Sequence, residues 1–122
     1  MAIAAGAVLG ANLRFVVGTW AADRLGSDFP FGTLIINTSG AFVIGVFLAF
    51  LGARVGVNPV WRLFFATGFL GGYTTFSSYA WEALTLVDAG AWLRAGIYVV
   101  GTNVIGLAGV WLGATLARLV SL

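Results

Sequence analysis

The sequence contains no cysteine and no histidine, and only 8% of its 122 residues are charged. The first absence removes disulfides and thiolate chemistry. The second removes every histidine-based catalytic arrangement, and the two together remove Cys/His metal centres. The scarcity of charge bears on class: six basic and four acidic residues cannot cover the surface of a soluble domain of this length. With 61% hydrophobic residues and a mean hydropathy of +1.04, the expected solvent is lipid. Lysine is absent too; all the basic residues are arginines, and a net charge of +2 is too small and too scattered to engage nucleic acid. No phosphate-binding motif and no nucleophile–base pair occurs, which points away from an enzyme.

What the chain does have is glycine, 18 residues of it. Small residues let helix backbones approach where lipid supplies no hydrophobic drive. Spacings of the GxxxG type occur at Gly6/Gly10, Gly68/Gly72 and Gly109/Gly113, with Gly106 one turn before Gly109. Charged and turn-forming residues divide the chain into four apolar stretches, at about 2–22, 32–53, 60–86 and 91–119. Each is long enough to cross a hydrocarbon layer of about 30 Å. The connections 23–31 and 54–59 are short, and Asp88-Ala89-Gly90 closes the third stretch. The expectation is one all-α membrane domain over residues 1–122 with four transmembrane helices. The first stretch reads as a spanning helix rather than a cleaved leader, because no basic residue precedes it.

With four crossings, Arg54, Arg62 and Arg118 fall on one side, and Arg24 and Arg94 on the other. A protein committed to one orientation concentrates its arginines on the cytoplasmic side. Three against two is barely a bias, and it points to insertion in both orientations and to an antiparallel pair of copies. A single orientation set by weaker cues is the alternative.

The third stretch carries the most informative run, GFLGGYTTFSSY at 68–79. Adjacent Gly71 and Gly72 are poor for helix continuity, and Thr74, Thr75, Ser77 and Ser78 compete with the backbone for hydrogen bonds. The expectation is a broken third helix. Unwound backbone at membrane depth persists only where protein or a water-filled cavity covers it, commonly at an ion pathway. Other polar groups in apolar surroundings join the candidates. Thr33 and Asn37 lie on one face of the second stretch, either as donors to a ligand or as glue between helices. Tyr98 and Thr102 share a face of the fourth, with Asn103 beside them. Arg14 and Glu82 are isolated charges that either line a pathway or pair within the protein. Phe76 and Tyr79 project from one face, where the positive ring edges can favour an anion without trapping it.

Together these residues look like the CrcB/Fluc family of small fluoride channels. The resemblance covers nearly the whole chain in order, through GAVLGANLRF at 6–15, FPFGTLIINTSGAF at 29–42 and TGFLGGYTTFSSYAWE at 67–82. It implies passive fluoride export across a bacterial plasma membrane by an antiparallel, dual-topology homodimer with two fluoride pathways. It also implies a central sodium ion that is not transported, held by main-chain carbonyls of Gly71 and Thr74 from both subunits. By the same resemblance Asn37 matches the pore asparagine, Phe76 the first ring of an aromatic box, and Arg14 the basic residue of the first helix. The chain departs at Tyr79, where the family usually has phenylalanine; the ring is kept and a hydroxyl is added.

Fluoride suits this inventory. It is small and tightly hydrated, so a pore must replace its water with donors such as Thr33, Asn37, Ser77, Ser78 and Thr102, and must bind weakly enough to release it. A rival class is a small proton-coupled multidrug exporter, also of about four helices. It would need a membrane-embedded carboxylate at its substrate site, for which Glu82 is the candidate. A purely structural membrane protein would not need the Gly-Gly/Thr-Thr run.

Overall fold

A computed structural model describes residues 1–121, and these are helical apart from short turns. Helix α1 spans Ala2–Leu25 and α2 spans Phe31–Gly52. Residues 59–73 form α3, which opens with a turn at Pro59–Trp61, continues as a π-helix over Arg62–Leu70 and ends at Gly71–Tyr73. Helix α4 spans Phe76–Asp88 and α5 spans Trp92–Val120. Helices α1, α2 and α5 are each long and apolar enough to cross a membrane. At 1.5 Å per residue, α3 and α4 are each too short to do so alone.

Several boundaries differ from the sequence expectation, for local reasons. Helix α1 runs on through Asp23 and Arg24, because a charged pair is tolerated where a helix leaves the apolar layer. It ends at Gly26, whose φ of 82° only glycine adopts freely, with the Gly26 amide donating to the Ala22 carbonyl. At the start of α3, the Asn58 side chain accepts from the Val60 amide at 3.0 Å, while Pro59 takes the position that lacks an amide donor. The sequence does not announce the π-helical turn, since nothing in hydrophobic spacing marks a shift from i+4 to i+5 bonding.

The extended backbone also falls later than the glycines suggest. Gly71 and Gly72 remain helical, and the chain turns extended at Thr74 (φ −82°, ψ 157°) and Thr75 (φ −150°, ψ 119°). The Leu70 carbonyl accepts both the Thr74 amide and the Thr74 hydroxyl, each at 2.9 Å, and this closes α3.

Glycine governs how the helices meet. Helix α1 crosses α3 with Gly6 and Gly10 facing Gly68 and Gly72. A Cβ on Gly6 would collide with the Phe64 carbonyl, and one on Gly10 with that of Phe69. The same holds between α2 and α5, where Gly45 lies against the Val110 carbonyl and Gly113 against that of Phe42. Two of the GxxxG pairs therefore meet each other, and Gly109/Gly113 serves the second crossing. Gly106 contributes to neither, since a Cβ there would meet nothing within 4 Å.

The buried apolar core is small: Ile36, Leu70 and Tyr73, with Val17, Val43, Ile44, Phe65 and Phe69 packed around them. Most large apolar side chains face outward, including all five tryptophans. Such a surface belongs in lipid, with tryptophans favouring the interfacial layers.

The close crossing yields a direct expectation for stability. Gly10→Val drives a branched side chain into backbone that cannot yield, and should destabilise by about 3 kcal/mol or more, the upper end for overpacking. Gly52→Ala, in open space, is the matched control. Thermal unfolding in detergent should show a large drop for the first and none for the second; equal midpoints would mean that the helices do not cross at Gly10.

Candidate functional site

The site is organised around Thr75. In a continuous helix its amide would donate to the Gly71 carbonyl. Here it donates to Asn37 Oδ1 at 2.8 Å, while Asn37 Nδ2 donates to the Thr75 carbonyl at 2.8 Å. One amide side chain thus satisfies both backbone groups of one extended residue, as a neighbouring strand would. A reversed amide would set donor against donor and acceptor against acceptor, so chemistry fixes the orientation. Asn37 keeps one further amide proton.

The Thr75 hydroxyl does a second task as the N-cap of α4, accepting from the Ser78 amide at 3.3 Å. It also meets Ser77 Oγ at 3.3 Å and donates to Ser78 Oγ at 3.1 Å. The Ser78 amide is the helical partner that the Thr74 carbonyl would otherwise have. Asn37 therefore takes the donor due to the Gly71 carbonyl, and the Thr75 hydroxyl takes the donor due to the Thr74 carbonyl. Two neutral oxygens are released from helical pairing within four residues. Neutral carbonyls suit a hard monovalent cation, and no group of three or more His, Cys, Asp or Glu occurs among the described residues. The donor set fits the ion that the family resemblance implies.

Two cavities lie on either side of Thr75. A groove of about 410 Å³ is lined by Asn37, Gly71, Thr74, Phe76, Tyr79 and Thr102. A second hollow of about 480 Å³ is lined by Arg14, Thr33 and Ser78. Thr75 borders both. In the groove, Phe76 is 78% exposed, and the Thr102 hydroxyl is buried with no hydrogen-bond partner among the described residues. Gly40 makes the approach possible, because a Cβ there would collide with the Thr74 methyl group. Ser77 is exposed and lines neither cavity.

Glu82 is held apart from the groove. Its carboxylate accepts from the Thr33 hydroxyl at 2.7 Å and from the Tyr98 hydroxyl at 2.8 Å. Tyr98 is fully buried and Thr33 nearly so. One carboxylate thus ties α2, α4 and α5 together. Arg14 lies in the second hollow with Thr33, whereas Glu82 borders a separate pocket near Phe29 and Pro30. An aromatic row connects these regions: Phe29 meets Tyr98 edge-on at 5.5 Å, Tyr98 meets Tyr79 at 5.4 Å, and Tyr79 meets Phe76 at 5.4 Å.

Sequence reasoning missed some partners. Ser39 donates to the Ile36 carbonyl at 3.1 Å, so the Tyr73 hydroxyl is the donor in the 2.9 Å bond between Tyr73 and Ser39. The two are 34 residues apart, and no spacing rule joins them. The hydroxyl at Tyr79, whose role the sequence left open, accepts from Asn103 Nδ2 at 3.1 Å.

Comparison with known proteins identifies the family. Residues 1–114 match the family described as CrcB-like protein, Camphor Resistance (CrcB). A relative from Roseiflexus sp. (strain RS-1), named fluoride-specific ion channel FluC, is 50% identical over 118 residues, covering 97% of this chain and 95% of its own. Relatives of the same name from Chloroflexus aurantiacus (strain ATCC 29366 / DSM 635 / J-10-fl) and Solibacter usitatus (strain Ellin6076) are 46% and 44% identical. They cover 97% and 95% of this chain, and 94% and 95% of their own. A match over this much of the chain is decisive: it is a multi-pass membrane protein that belongs to the CrcB-like family, a family of ion channels and not of enzymes.

Proposed function

We propose that this protein is a fluoride-selective channel of the bacterial plasma membrane that lets the ion leave the cell passively. The observation that carries the reading is the extended Thr75, paired through its backbone with Asn37 beside an open groove, in a chain up to 50% identical to proteins named fluoride-specific ion channels. Residues 59–73 and Phe76–Asp88 would together make one crossing, with Thr74 and Thr75 near mid-depth. The Thr102 hydroxyl, the spare Asn37 proton and the edges of Phe76 and Tyr79 offer an anion weak, replaceable contacts. Larger halides are refused by bore. Arg14 and Ser78 would gather the ion at one mouth, where a positive charge attracts it without standing in the narrowest part; Thr33 takes no part, because its one hydroxyl proton is given to Glu82.

A groove open along one side needs a second wall, and another copy of the chain supplies it in this reading. A Cβ on Gly71 would meet almost nothing within one subunit, and Gly101 and Gly106 on α5 stand equally open. The nearly balanced arginines favour an antiparallel partner. Gly71 and Thr74 from both copies would then hold one sodium ion, whose charge offsets that of the passing anions. The exporter reading gains nothing from Glu82, because both its oxygens are already engaged by Thr33 and Tyr98.

Purified protein in liposomes loaded with fluoride or chloride tests the function. Fluoride should escape through the protein and chloride should stay, with no need for a proton gradient. Replacing sodium by a large organic cation should suppress fluoride efflux, and sodium itself should not cross. Escape of both anions, or sodium uptake in step with fluoride, would contradict the reading. Topology is tested separately: a C-terminal tag should be labelled from both faces of the cell membrane. Labelling from one face alone would exclude the antiparallel pair.

A further inference from the structure

Tyr79 lines the groove and carries a hydroxyl whose only hydrogen bond among the described residues is the one it accepts from Asn103. Asn103 lies on α5 and is itself held: its Nδ2 also donates to the Val99 carbonyl one turn earlier at 2.8 Å. Both amide protons are therefore spent, one fixing the side chain against its own helix and the other reaching Tyr79. The ring is wedged between Phe76 and Tyr98, at 5.4 Å from each. A phenol oxygen has one proton and accepts through its lone pairs. With the Asn103 donor on one side of the oxygen, the phenol proton lies away from it and remains free to donate. Beside it in the groove stands Thr102, whose buried hydroxyl has no hydrogen-bond partner among the described residues.

On this geometry, and resting on the channel reading above, we propose that Asn103 is a positioning residue for anion passage. By donating to the Tyr79 oxygen it reserves the Tyr79 proton for the ion, so that Tyr79 acts as a hydroxyl donor as well as a ring edge. The pair Tyr79 and Thr102 then forms a two-hydroxyl step in the groove, neutral and so able to release what it binds. Asn103 lines the same groove, but with both amide protons engaged it has none to give the ion, and its effect passes through Tyr79.

That dependence is measurable as a coupling between two positions. Fluoride efflux from liposomes is compared for the unmodified chain, Tyr79→Phe, Asn103→Leu and the double variant. Asn103→Ala serves as a second probe should the leucine variant fold poorly, and gel filtration verifies each assembly. Tyr79→Phe should slow efflux about tenfold, the worth of one hydrogen bond to a charged group. Asn103→Leu or Asn103→Ala should slow it similarly when Tyr79 is present, and hardly at all when added to Tyr79→Phe. Losses that multiply to about a hundredfold would overturn the proposal, because independent sites add in free energy. Undiminished efflux from Tyr79→Phe would overturn it too. No fluoride efflux from the unmodified chain would sink the channel reading itself, an outcome distinct from either.

Discussion

Two hydrogen bonds of 2.8 Å between the Asn37 side chain and the Thr75 backbone are the constraint on which the site depends. An extended residue in apolar surroundings exposes an amide and a carbonyl that lipid cannot satisfy, each at a cost of about 1–3 kcal/mol in protein terms. Asn37 meets both from one side chain. With Thr75 held extended, its hydroxyl is placed to cap α4, and Phe76 and Tyr79 are delivered to the groove. The carbonyls of Gly71 and Thr74 lose their helical donors for the same reason. A single substitution at Asn37 would therefore disturb the groove, the start of α4 and the freed carbonyls of Gly71 and Thr74 together.

The rest of the molecule serves to hold that arrangement without a large core. Glycine contacts clamp α1 to α3 and α2 to α5, so that α2 can bring Asn37 up to Thr75. Polar anchoring replaces packing for α4, which has no buried residue of its own. Glu82 binds it to Thr33 and Tyr98, and Tyr79 binds it to Asn103. These anchors are worth having in a membrane because apolar side chains gain little by leaving lipid for protein.

Part of this was legible in the sequence. Apolar stretches and their charged ends gave the helices to within a few residues, because hydrophobic length is a one-dimensional property. The Gly-Gly/Thr-Thr run directed attention to residues 71–75, although the glycines stay helical and serve helix contact, while Thr74 and Thr75 leave the helix. Asn37 was recognisable as a polar residue that needs a reason, and its partner was not. Nothing in spacing connects residues 38 apart, and the same holds for Thr33 with Glu82 and for Ser39 with Tyr73. The π-helix was invisible because it changes hydrogen-bond register without changing composition.

Amide hydrogen exchange at Thr75, read by NMR in lipid, tests the central claim most directly. In the unmodified protein this amide should be protected, because Asn37 Oδ1 holds its proton. In Asn37→Ala the protection at Thr75 should fall sharply, while that of the α3 amides before Gly71 stays as it was. An amide at Thr75 that is equally protected in both proteins would mean that the backbone bonds within itself there, and that Asn37 does not hold the site open.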